Sequence, residues 1–208
     1  MNSRSGIEDW NRRFAGDAFL FGDRPNAFLA RQKPLLPPGG AALALADGEG
    51  RNGVWLAEQG LQVTAVDGSS VALAKAAGLA RARGVALTFV EADLDTWKVP
   101  ENAYDVVVGI FFQFAPPDLR SRLFAAMETA LKPGGLLLIE GYGVGQLEYG
   151  TGGPRNRDHL YTEAMLREAF AGLRIETLEA YDAEVDEGTG HKGMSALVDL
   201  VARKPPAP

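Results

Sequence analysis

Ala41-Ala42-Leu43-Ala44-Leu45-Ala46-Asp47-Gly48-Glu49-Gly50-Arg51-Asn52-Gly53 is the stretch on which the fold turns. Its six small apolar residues in a row read as a strand buried on both faces, since alternation is lost when neither face meets water. The chain then bends through Gly48, Gly50 and Gly53, which match the spacing G-x-G-x-x-G. Missing side chains there let backbone approach a nucleotide closely and put a helix N-terminus behind it. A generic strand-to-helix turn uses the same glycines, so the spacing leaves both readings open. Two acids, Asp47 and Glu49, stand in the bend. They would repel a dinucleotide pyrophosphate and suit a ligand that carries positive charge. S-adenosylmethionine, with its sulfonium and ammonium, is such a ligand.

The rest of the chain continues the alternation of strand and helix. Residues 52–59 read as a helix stopped by Gly60, and 61–66 as a second strand ending at Asp67. Ser70 is placed to cap a helix running to Arg83, with Gly84 at its close. A third strand covers 87–90, and 105–112 is the strongest buried strand. Pro116-Pro117-Asp118 opens a helix reaching Leu131, because proline is tolerated in a first turn. Lys132-Pro133-Gly134-Gly135 reads as a turn before a fifth strand over 136–140. A Gly/Tyr-rich loop runs to Asn156, Thr162 caps a helix ending near Gly172, and two strands follow over 174–183 and 195–202.

These elements predict an α/β fold: a Rossmann-like doubly wound sheet of seven strands, mostly parallel, with ligand at the carboxyl ends of the strands. No helix separates the last two strands, so they form an antiparallel C-terminal hairpin. Residues 1–208 read as a single domain. Within it, 1–38 form an N-terminal appendage that covers the site, with clusters at Trp10, Arg13 and Phe14 and at Phe19-Leu20-Phe21-Gly22.

Composition narrows the partners. The 208 residues are 46% hydrophobic and 23% charged, with a formal net charge of -6. No Lys/Arg run is present, which argues against nucleic acid and leaves a small molecule as the partner. Cysteine is absent, which removes disulfides, thiolate zinc sites and cysteine nucleophiles together. The polar start and the lack of a long apolar segment give an expectation of a cytoplasmic protein with no membrane contact. Oligomeric state is not set by the sequence.

Two further acids fall at strand ends. Asp67 closes the second strand, where a carboxylate accepts hydrogen bonds from ribose hydroxyls; capping the next helix is its other reading. Asp93 lies past the third strand, where it can take a hydrogen bond from an adenine amino group while the backbone of Leu94 meets the ring edge. Alternatively it caps the short segment 94–97.

With Ala44 to Gly53, Val63-Thr64-Ala65-Val66-Asp67, Glu91-Ala92-Asp93-Leu94 and Leu131-Lys132-Pro133-Gly134-Gly135-Leu136 in order, the chain resembles the class I S-adenosylmethionine-dependent methyltransferases. The tellurite-resistance and thiopurine-type small-molecule branches are nearest. Family members usually carry an acid where this chain has Ala44, and often a glycine where it has Ala46; by charge alone, Asp47 or Glu49 could replace that acid. The resemblance implies cofactor contacts at Ala46, Asp47, Gly48, Gly50, Asn52, Asp67, Gly68, Ser69, Asp93, Leu94, Ile110 and Phe111. Trp10 and Phe21 are added from the appendage, whose aromatic faces suit a sulfonium. Core packing explains those aromatics equally well.

The activity implied is methyl transfer to a small-molecule acceptor of thiol, chalcogen or carboxylate type. In-line displacement at an activated methyl asks the protein for positioning and desolvation more than for acid–base chemistry. No catalytic residue is assigned and no metal is expected. Phe112, Gln113, Tyr142, Tyr149 and His191 are the substrate-side candidates. Two alternatives stand beside this reading: a non-catalytic S-adenosylmethionine-binding regulator and an NAD(P)-dependent oxidoreductase, the latter disfavoured by the acids at the bend.

Overall fold

The computed structural model describes residues 3–206. They fold as two compact units, the first running through Trp97 and including Glu187–Gly190, the second running from Lys98 to Asp186 and resuming at His191.

The first unit holds α1 (Ser3–Phe14), α2 (Ala27–Arg31), β1 (Ala41–Leu45), α3 (Arg51–Glu58), β2 (Gln62–Asp67), α4 (Ser70–Arg83) and β3 (Thr88–Glu91). Its strands lie side by side as β3-β2-β1. All are parallel, with Leu45 opposite Val66 and Asp67 opposite Glu91. That register ends the three strands at one level, so the glycine bend, Asp67 and the Glu91–Asp93 turn emerge together. Ala42, Leu43, Ala65 and Val66 are fully buried, as an unalternating apolar run requires. The cap of α4 is Ser69 and not Ser70: its hydroxyl accepts the Ala72 N–H at 3.1 Å. Gly84 closes the helix at φ +70°, the left-handed conformation that glycine adopts without strain.

The second unit contains β4 (Tyr104–Ile110), α5 (Pro117–Ala130), β5 (Leu131–Tyr142), α6 (Gln146–Tyr149), α7 (Glu163–Ala169), β6 (Arg174–Glu187) and β7 (His191–Arg203). Its order is β4-β5-β7-β6. β4 and β5 are parallel and β5 and β7 antiparallel. The seven-stranded, mostly parallel sheet with its C-terminal hairpin is therefore the fold expected. Two details differ. The strand β5 begins already at Leu131, and the expected Lys132–Gly135 turn survives as a register shift, Tyr104 facing Leu131 and Val106 facing Leu136. The hairpin strands are also longer than the apolar pattern suggested, which places His191 in β7 and buries it.

Among the described residues, no helix is long and apolar enough to cross a membrane, and no group of three or more His, Asp or Glu is placed to hold a metal ion.

Candidate functional site

The bend after β1 is held from below by carboxylates. Asp67 Oδ2 accepts the Gly48 N–H at 2.9 Å, and its Oδ1 accepts the Ser69 N–H at 2.8 Å. Burial pushes the Asp67 carboxyl above its ordinary pKa, against these backbone donors. Asp47 turns away from the bend and caps α3, accepting the Gly53 N–H at 3.0 and 3.2 Å. Full burial raises its pKa to about 7, with the Gly53 N–H opposing and the charge of Asp67 adding.

Gly50, at φ +90°, stands where an added Cβ would lie 2.5 Å from Ala76 Cβ. Its missing side chain lets α3 and α4 approach each other. Ala46 adopts φ +52° just ahead of the bend, a conformation that glycine meets without strain and alanine does not.

The second acid of the bend, Glu49, is committed to the appendage. Its Oε2 accepts the Leu20 N–H at 2.7 Å, and its Oε1 pairs with the Lys75 ammonium. Lys75 in turn donates to the Gly16 and Ala18 carbonyls at 2.8 and 2.7 Å. The two acids that read in sequence as partners for a ligand ammonium thus both have protein donors. Asn52 is similarly engaged, its Oδ1 accepting the Asn26 N–H at 2.9 Å.

Helix α1 lies across the strand tips. A Cβ on Gly68 would meet Ile7 Cγ1 at 3.0 Å, and one on Gly48 would meet Phe14 Cζ at 3.6 Å. Between them the Ser69 hydroxyl donates to Asn11 Oδ1 at 2.6 Å. Ile7, Asn11 and Phe14 recur at helical spacing, so a single face of α1 covers Gly48, Gly68 and Ser69. Trp10 stacks on Phe14 at 5.3 Å between centroids, and Phe21 meets both rings at 6.4 and 6.2 Å. The Arg13 guanidinium lies 4.1 Å over Trp10. Past β3, Asp93 Oδ1 accepts the Asp95 N–H at 3.0 Å while its carbonyl accepts from Thr96 and Trp97, the local cap foreseen as one of its two readings. Leu94 beside it is buried.

In the second unit, Ile110 is buried at the end of β4 and Phe111 follows at φ +52°. A bulky residue in that region is strained, and such strain gathers at binding sites. The Phe111 ring sits 4.7 Å from Tyr142 and 4.3 Å from His191, and those two lie 5.5 Å apart. Phe112 points into the core against Phe124 and Tyr161 and is 2% exposed. Gln113 is a staple rather than a free amide: it donates to the Tyr142 and His159 carbonyls, both at 2.9 Å, and accepts the Tyr142 N–H at 2.6 Å. Tyr149 is 38% exposed on α6. The aromatic trio Phe111, Tyr142 and His191 is the grouping the sequence did not announce, because its members come from three separate strand ends.

S-adenosylmethionine is chemically suited to the first unit. A glycine bend, a carboxylate at the tip of β2 and aromatic side chains on α1 suit a nucleoside that carries a sulfonium.

Comparison with known proteins agrees with this chemistry. Residues 42–135 match the methyltransferase domain family. No curated protein matches the sequence. Among solved structures, the fold is similar to that of a protein from work on the conversion of a disulfide bond into a thioacetal group during echinomycin biosynthesis. The two are 21% identical, over 96% of this chain and 91% of that one, with a TM-score of 0.79. It is also similar to the N-methyltransferase NodS from Bradyrhizobium japonicum in complex with S-adenosyl-L-homocysteine, at 16% identity over 96% and 98% of the two chains and a TM-score of 0.73. A third likeness is to TehB from Haemophilus influenzae, 17% identical over 95% of this chain and 66% of that one, with a TM-score of 0.71.

Proposed function

We propose that this chain, a class I S-adenosylmethionine-dependent methyltransferase, transfers the donor methyl to a small-molecule acceptor with a soft or acidic nucleophile: a thiol, another chalcogen, or a carboxylate. The observation that carries the reading is the pairing of the glycine bend with Asp67 beneath the Ile7, Asn11 and Phe14 face of α1. Gly48 and Gly50 would border the methionine end, Asp67 the ribose, and Asp93 with Leu94 the adenine. Trp10 and Phe21 would border the sulfonium, with the Arg13 guanidinium already lying over the Trp10 ring.

When bound, the donor supplies an electrophilic methyl. An acceptor lone pair forms the new bond as the carbon–sulfur bond breaks, and S-adenosylhomocysteine leaves. The protein's own work is to exclude water and align the acceptor, for which ring faces suffice. A soft or already acidic nucleophile reacts at such a methyl without a general base to activate it. A sulfur acceptor also accords with the thioacetal chemistry associated with one protein of the same fold.

The test is calorimetry with S-adenosylhomocysteine followed by transfer of labelled methyl to a panel of thiols, selenols, carboxylates and amines. Binding with turnover confined to the first three classes is expected. Transfer to amines alone would exclude the acceptor assignment, and saturation by NADH with no response to S-adenosylhomocysteine would exclude the donor.

A further inference from the structure

Arg51 opens α3 directly behind Gly50. A cation is disfavoured at a helix N-terminus by the backbone dipole, and it would repel a positively charged ligand arriving at the bend beside it. Yet its guanidinium is nearly inaccessible, with a side chain 7% exposed. What neutralises it is Glu187, a residue 136 positions away at the end of β6. Arg51 Nη1 donates to Glu187 Oε2 at 2.6 Å.

The same carboxylate accepts the Asn26 amide at 3.1 and 3.4 Å and the Ala27 N–H at 3.0 Å. Asn26 also passes its backbone N–H to Asn52, the residue after Arg51. The residues following Glu187 lie flat on the appendage. The Gly190 N–H donates to Leu20 O at 2.9 Å, and Gly188, at φ +71°, leaves no room for a Cβ against Gly22. Lys75, another cation of this region, is matched by Glu49.

We propose that Glu187 is a positioning residue that tunes donor binding by charge: it cancels Arg51, so that the bend accepts the cationic S-adenosylmethionine as readily as the uncharged thioether product. The proposal rests on the methyl-donor reading above. It differs from a purely mechanical lock in what it predicts. S-adenosylmethionine carries one positive charge more than S-adenosylhomocysteine and is otherwise almost the same shape. A lock that merely holds loops together would weaken both ligands alike; an uncancelled Arg51 penalises the cation selectively.

Calorimetry of the full chain with each ligand separates the two. Glu187→Gln keeps an oxygen that can accept from Asn26 and Ala27 but removes the negative charge. It is expected to raise the ratio of dissociation constants, S-adenosylmethionine over S-adenosylhomocysteine, by about three- to ten-fold. The double variant Arg51→Gln/Glu187→Gln should return that ratio to the wild-type value, whatever happens to the two affinities separately. If Glu187→Gln does not fold, Arg51→Gln alone supplies the converse, a ratio below wild type. Equal weakening of both ligands, or a ratio unmoved in every variant, overturns the proposal and leaves the methyl-donor reading intact. A wild-type chain that binds neither ligand overturns that reading as well.

Discussion

Asp67 and Gly48 are joined by a 2.9 Å hydrogen bond in which the backbone N–H of the bend donates to the carboxylate at the tip of β2. The bond ties the turn after one strand to the end of its parallel neighbour, and the second oxygen does the same for Ser69 and the start of α4. Two loops that would border a nucleoside are therefore fixed by one side chain before any ligand arrives. A ribose hydroxyl would meet an acceptor already oriented by backbone donors, which lowers the ordering cost of binding.

Replacing Asp67 by alanine removes both acceptors and leaves two backbone N–H groups without them. A cost of about 2–4 kcal/mol in folding stability is expected, with S-adenosylhomocysteine affinity reduced about ten-fold or more. Asp67→Asn, which keeps one good acceptor, should fall between. Urea denaturation and calorimetry measure the two effects. Wild-type affinity in Asp67→Ala would remove the residue from the site.

Asp47 makes stability depend on pH. Its pKa is about 7 in the folded chain against an ordinary 3.8. Between those values the folded state holds a proton that the unfolded state has released, so stability falls as pH rises from about 4 to about 7 and stays low above that. Asp67 is shifted in the same direction and adds to the slope. Asp47→Asn still offers an oxygen to the Gly53 N–H, yet carries no charge to desolvate. It should be more stable than wild type at pH 8 by on the order of a few kcal/mol, with the advantage shrinking toward pH 4. Denaturation midpoints that run parallel across this range would contradict the assignment.

Much of this site is legible in the sequence, and the parts that are not share a cause. The apolar run 41–46 and the glycine spacing specify strand, bend and helix locally, because each depends on residues within a turn of one another. Asp67 is readable for the same reason: it ends a strand whose pattern is plain. Glu49 and Glu187 are not. Their partners are 29 and 136 residues away, Leu20 for one and Arg51 for the other, and an acid beside a glycine bend looks alike whether it awaits a ligand or a lysine. His191 misleads because glycines flank it in Gly190 and Gly193. The register of β7 nonetheless carries it into the core, where Phe111 and Tyr142 pack on it. Gln113 reads as a polar group free for a substrate only until the backbone groups of Tyr142 and His159 are placed around it.

Gly50 is expected to resist replacement for steric as well as conformational reasons. At φ +90° an alanine is strained, and its methyl would lie 2.5 Å from Ala76 Cβ and 2.9 Å from Ala76 Cα. The second of these atoms belongs to the backbone and cannot rotate aside, so α3 and α4 must separate. Gly50→Ala should cost about 3 kcal/mol or more. Adding Ala76→Gly removes the clash between the two methyls and leaves both the strain and the clash with the backbone of α4, so only part of the loss should return. Full recovery of the melting temperature in the double variant would show that the left-handed backbone there is cheap.

Ala46 gives the opposite sign. It holds φ +52° immediately before the bend, where the methyl of an L-residue crowds the following carbonyl at a cost of about 1–2 kcal/mol. Glycine escapes that cost but gives up about 0.5–1 kcal/mol through the greater freedom of the unfolded chain. The difference favours glycine, and at this chain length a net gain of about 0.5–1 kcal/mol corresponds to about 1–4 °C in melting temperature. Neighbouring Leu45 is fixed by its pairing with Val66, so the backbone cannot relax away from the strain in the parent chain. Ala46→Gly should therefore melt higher than wild type and bind S-adenosylhomocysteine at least as tightly, since removing a methyl beside Asp47 and Gly48 only widens the approach to their backbone. A lower melting temperature would mean that the Ala46 methyl contributes packing worth more than its conformational strain.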